Sequence, residues 1–139
     1  MIKTQDISKV FMIGKKQETE LCAVDNLTLE VSKGEVFGFL GPNGAGKTTT
    51  VRILTGLIKP TGGSALVAGF TLGKEDTQIR RNVGILTESP GMYERLSAEK
   101  NLTIFANLYE VPDIPKAVNK YLSMLDLWTR RYDAVGSFS

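Results

Sequence analysis

Strand-length apolar runs dominate the chain as far as residue 96, and helical spacing dominates beyond it. Residues 2–11 and 21–31 are rich in strand-forming side chains and flank the polar, glycine-containing stretch 14–20. That order predicts two antiparallel strands joined by a long loop. Val36-Phe37-Gly38-Phe39-Leu40 is a short apolar run of strand length, after which apolar residues fall at Val51, Ile53, Leu54 and Leu57, the spacing of a helix lying on a sheet. Past Lys59-Pro60 and the Gly62-Gly63 turn, residues 64–69 read as a short strand, 75–82 as a short polar helix and Val83-Gly84-Ile85-Leu86 as a buried strand. Strands alternating with helices favour an α/β chain with parallel pairing. From Ser97, an N-cap residue type, Leu102, Phe105, Leu108 and Tyr109 are spaced to share one helical face. Pro112 and Pro115 break the pattern, and a second helix carries Val118, Tyr121, Leu122 and Leu125.

Between the run ending at Leu40 and the helix stands Gly41-Pro42-Asn43-Gly44-Ala45-Gly46-Lys47-Thr48-Thr49, which fits G-x-x-x-x-G-K-[ST] from Gly41 to Thr48. Each fixed position has a mechanical task. Glycines let successive amide N–H groups turn inward as an anion nest, and the helix beginning near Lys47 aims its unpaired N–H groups at the same point. Lys47 adds a full charge for the β- and γ-phosphates, and the Thr48 hydroxyl is an oxygen ligand for Mg²⁺. A plain strand-to-helix turn has no use for three glycines, a lysine and two hydroxyls in this order. The expected ligand is therefore a nucleoside triphosphate. A dinucleotide-binding loop is disfavoured, because Gly44-Ala45-Gly46 runs into Lys47-Thr48-Thr49 and lacks the third glycine.

The stretch from Phe37 to Thr49 resembles the Walker A region of ATP-binding cassette (ABC) transporter ATPases. Ala23-Val24-Asp25-Asn26-Leu27, Val31-Ser32-Lys33-Gly34-Glu35 and Lys59-Pro60-Thr61-Gly62-Gly63 are similar to that family's amino-terminal strands and to the turn after its first helix. Val83 to Glu88 and Tyr93 to Leu102 resemble its Q-loop and the start of its helical subdomain. The resemblance implies one partial nucleotide-binding domain: an antiparallel β part at 1–34, a P-loop core with a partial parallel sheet at 35–96, and the beginning of a helical subdomain at 97–139. It implies Mg-ATP held by Gly41, Pro42, Asn43, Gly44, Ala45, Gly46, Lys47, Thr48 and Thr49, with Lys47 catalytic. Phe11 would stack on adenine, Val24 would press on the base edge, and Thr48 and Glu88 would contact the metal. Glu88 departs from the family's usual glutamine; an exposed acid with no role is the competing reading. Residues 90–96, with Met92 and Tyr93, stand where the family docks its membrane partner.

The same resemblance implies a membrane-spanning permease and a second ATP-binding subunit as partners, and a cytoplasmic site at the inner face of the membrane. It also aligns Ser139 with the serine that opens the family's signature segment. No run of four apolar residues ending in Asp-Glu, the Walker B pattern, occurs in residues 1–139, and there is no histidine. Leu122-Ser123-Met124-Leu125-Asp126 reads instead as amphipathic helix. The expectation is a piece competent to bind ATP and incomplete for hydrolysis.

Composition narrows the field further. A chain of 139 residues, 42% hydrophobic and 23% charged, is long and apolar enough for a real core and unlike a disordered segment. Apolar runs fall far short of the ~20 residues that cross a bilayer, and Met1 to Asp6 show no secretory pattern. Cys22 stands alone, which points to a free thiol. The net charge of +2 comes from scattered basic residues with no stripe for nucleic acid. Two rivals stay open: a small-molecule kinase, for which no arginine-rich lid is evident, and a non-catalytic nucleotide-binding or assembly module.

Overall fold

The structure, a computed structural model, describes residues 1–14, 19–86 and 91–138. It comprises two compact units, Met1–Ile85 and Leu86–Ser139. In the first, β1 (Ile2–Ile13) and β2 (Thr19–Val31) form a long antiparallel pair, and β3 (Gly62–Val67) and β4 (Phe70–Thr71) extend it into a four-stranded sheet of order β2-β1-β3-β4. Ile2 faces Val31 on one side and Val67 on the other. The ladder between β1 and β2 slips past Thr4, and Asp6 takes φ 50° there. Buried Thr4 bridges the gap: its hydroxyl donates to the Leu27 carbonyl at 3.0 Å and accepts from the Leu29 amide at 2.9 Å, so the slip leaves neither group unpaired.

Helix α1 (Lys47–Leu54) lies on this sheet through Ile53, which has no solvent exposure and packs with Ile7, Val24 and Ala65. Full burial of such a side chain contributes about 2–3 kcal/mol. The helix ends three residues before Leu57, the last apolar position of its pattern. Gly56 stops it at φ 69°: its amide donates to the Ile53 carbonyl and that of Leu57 to the Arg52 carbonyl, both at 2.9 Å, which is a Schellman closure. Helix α2 (Asp76–Asn82) buries Ile79 and ties back to that closure, Arg80 donating to the Gly56 carbonyl at 3.0 Å.

The second unit packs α3 (Ala98–Leu108) against α4 (Ile114–Met124), with short 3₁₀ turns at Trp128–Arg130 and Val135–Ser137. Ala98, Val118 and Leu122 form its core, bordered by Leu102, Leu127, Trp128 and Phe138. Ser97 caps α3 by accepting from the Lys100 amide, as its residue type predicts. Pro115 stands in the first turn of α4 rather than breaking the chain: proline lacks the N–H that a first helical turn leaves unpaired anyway. The face expected on α3 is also narrower than its spacing suggests. Leu108 and Tyr109 are exposed, and Ala106 and Asn101 are buried instead.

The runs 36–40 and 83–86, expected as strands of a parallel sheet, enter no ladder among the described residues. Val36 is 98% exposed, Leu40 94% and Leu86 88%, so the expected burial of 83–86 does not hold either. Parallel strands draw their hydrogen bonds from segments distant in sequence, and no described segment pairs with these two.

Candidate functional site

The glycine-rich loop meets its helix through Gly46, the N-cap of α1, in the left-handed region at φ 80°, ψ 2°. A Cβ at Gly46 would run into the carbonyl of Ala23 on β2, so glycine is required by both the turn and the contact with the neighbouring strand. Gly44 also has positive φ, at 85°, and a Cβ there would meet open space, so its glycine requirement is one of backbone angle alone. The loop is braced by the Ala45 amide donating to the Pro42 carbonyl at 3.2 Å and by Thr50 donating to the Gly46 carbonyl at 2.8 Å. No acidic residue stands in the first turn of α1, and Arg52 stands in its last. The positive end of the helix is thus left uncompensated on the loop side.

Lys47 arches over the loop. Its ammonium donates to the carbonyls of Gly41 at 2.7 Å and Pro42 at 2.8 Å. These acceptors are neutral, and hydrogen bonds between ionised partners are roughly twice as strong as such contacts. Thr48, at the second position of α1, is exposed, while Thr49 is half-buried.

Beside the loop lies a cavity of about 300 Å³ walled by Cys22, Val24, Asp25, Phe39, Gly44 and Ala45. Val24, expected at the base edge, lines the same cavity as Gly44 and Ala45 of the loop. Phe11 does not: it sits half-buried toward the hairpin end of β1, paired with Leu21. Glu88 lies outside the described residues. Cys22 is an exposed free thiol.

A larger cavity of about 620 Å³ opens in the helical unit, walled by Leu96, Ile104, Ile114, Val118 and Trp128. Glu99, Lys100 and Thr103 add polar groups to this mainly apolar lining, whereas the smaller cavity is the one beside the glycine-rich loop. The helical unit contains one side chain whose role the sequence did not reveal. Asn101, 1% exposed, accepts from the Tyr93 amide at 2.8 Å and donates to the carbonyls of Tyr93, Leu96 and Ser97 at 3.0 to 3.3 Å. It fastens the loop before α3, on which Met92 and Tyr93 stand exposed. An asparagine between Ala98 and Leu102 on the apolar side of a helix was the available signal.

Comparison with known proteins bears on family and fold. The family model described as "ABC transporter" matches residues 24–139. The bacitracin transport ATP-binding protein BcrA of Bacillus licheniformis is 39% identical over all 139 residues, which span 43% of its length. The linearmycin resistance ATP-binding protein LnrL of Bacillus subtilis is 32% identical, with the same coverage of each chain. Among solved structures, a dimeric ATP-binding cassette in a post-hydrolysis state bound to ADP and Pi superposes on the whole chain with a TM-score of 0.82 at 24% identity, over 63% of its own length. An ATP-binding subunit of an ABC transporter gives 0.77 at 26% identity, over 56% of its length. The fold is that of the ABC ATPase cassette, an α/β P-loop type with an antiparallel amino-terminal sheet. The chain spans less than half the length of these curated relatives. It belongs to the ABC transporter family.

Proposed function

We propose that residues 1–139 are the ATP-binding part of an ABC transporter's ATPase subunit, which energises transport through a membrane-spanning permease at the cytoplasmic face of the membrane and pairs with a second ATP-binding subunit. The observation that carries this reading is the loop Gly41–Thr49. It combines left-handed glycines, an uncompensated start of α1 and a Lys47 ammonium held at the loop's own carbonyls. A triphosphate fits that cradle chemically. Loop amides and Lys47 neutralise its oxygens, the exposed Thr48 hydroxyl serves a Mg²⁺ that prefers oxygen ligands, and Val24 borders the base. Phe11 is the stacking residue for adenine, and Glu88 a second group near the metal. The metal, when bound, supplies charge neutralisation between the phosphates; positioning of the nucleotide is the work of the loop. No helix of the described residues is long and apolar enough to cross a membrane, in keeping with a separate membrane-spanning partner.

Binding and turnover separate in this reading. Hydrolysis needs a carboxylate and a base near the attacking water, and residues 1–139 contain neither a Walker B pattern nor a histidine. Holding the ground state alone gives no rate. Calorimetric titration of this polypeptide with Mg-ATP is expected to show binding that Lys47→Ala weakens about a hundredfold, the equivalent of a charge-assisted contact of roughly 3 kcal/mol. Phosphate release by the same purified polypeptide is expected at background. Equal affinity for both proteins would remove the phosphate role of the loop; Lys47-dependent phosphate release would show that the polypeptide is catalytically complete.

A further inference from the structure

We infer that Lys9 is a positioning residue for the base: a fixed cation on one face of Phe11 that prepares the other face to receive a purine. The inference rests on the nucleotide reading above. Lys9 and Phe11 are two residues apart on β1, so both side chains leave the same side of the strand. The Lys9 ammonium stands 5.0 Å from the centre of the Phe11 ring. It also donates to the Lys59 carbonyl at 2.8 Å, an unusual tether for a surface lysine. The turn that carries this carbonyl is itself stitched to β1: Thr61 donates to the Ser8 carbonyl at 2.8 Å and the Val10 amide donates to the Thr61 hydroxyl at 2.9 Å. The cation is therefore held from two directions. Across the ladder Lys9 pairs with Val24, which lines the cavity beside Gly44 and Ala45; Phe11 lies one step further toward the hairpin end, outside that lining.

An ammonium on one face of an aromatic ring draws π-density toward itself. The opposite face becomes relatively electron-poor, and an electron-rich purine stacks on it better than on an unpolarised ring. The cation also occupies one of the two faces, which leaves a single stacking geometry.

The test uses Mg-ATP and Mg-tripolyphosphate, which share phosphates and differ in the base. Lys9→Met is expected to weaken Mg-ATP about threefold and to leave Mg-tripolyphosphate unchanged. Lys9→Arg keeps a cation over the ring and is expected to restore the ratio of the two affinities. In a Phe11→Ala background Lys9→Met is expected to add nothing. An equal loss for both ligands would mean that Lys9 acts on the phosphates or on the fold, and no loss would mean that it does not act; either result overturns the inference. If Phe11→Ala itself leaves the ratio unchanged, base stacking on Phe11 fails and the inference falls with it. If Phe11→Ala shifts the ratio and Lys9→Met does not, the role of Lys9 alone is refuted.

Discussion

Gly46 answers two demands at once, and the second is set by another strand. The sequence pattern requires a glycine there for the loop to turn, and φ 80° agrees. The approach of the Ala23 carbonyl is a tertiary fact that no spacing within the loop announces. Alanine at this position would meet a strained backbone angle and a rigid backbone oxygen together. Gly46→Ala is expected to destabilise the first unit by about 3 kcal/mol and to abolish Mg-ATP binding. Urea unfolding with an unchanged midpoint would show that the β2 contact does not constrain the loop. Asn101 illustrates the same limit on reading from sequence. Its residue type and position were visible, but its four hydrogen bonds to the preceding loop depend on how that loop folds back.

Three helices end in the same way with different residues. At α1 the left-handed position after the cap is Gly56; at α3 it is Glu110, at φ 52°, and at α4 Asp126, at φ 59°. Both acidic positions show the paired closing bonds, Val111 to Ala106 at 2.9 Å and Leu127 to Leu122 at 2.7 Å. A side chain in this region costs about 1–2 kcal/mol, and glycine returns part of that gain through its freer unfolded state. Glu110→Gly and Asp126→Gly are each expected to stabilise the helical unit by about 0.5–1 kcal/mol, seen as a raised urea midpoint. A lowered midpoint would mean that the acidic side chains contribute contacts outweighing the strain. Elements whose partners are local were legible in the sequence: the β1–β2 pair, α2, the Ser97 cap and α4 all lie close to where periodicity and residue type put them. The runs 36–40 and 83–86 were legible only as segments seeking burial. Apolar composition says that a segment should be covered, and it does not say by what. On α3 the periodicity overreached, because Leu108 and Tyr109 sit at the helix end, where Glu110 turns the chain away.

For the whole molecule, the unpaired runs predict association. Val36 and Leu40 in the first unit, and Leu86 in the second, expose nearly their full apolar side chains, and strand-forming segments with free backbone groups invite pairing with another chain. Sedimentation velocity is expected to show concentration-dependent association of the polypeptide, reduced by Leu40→Lys; a monomer at every concentration would mean that these runs are covered in solution. The chemistry, by contrast, is concentrated in one loop. The central claim is that Gly41–Thr49 is where a nucleoside triphosphate binds, and amide chemical-shift mapping on the ¹⁵N-labelled chain tests it directly. On adding Mg-ATP the account predicts the largest shifts at the amides of Gly44, Gly46, Lys47 and Thr48, with smaller ones at Val24 and Phe11. Shifts confined to the helical unit around Ile104 and Trp128, with the loop unmoved, would contradict it.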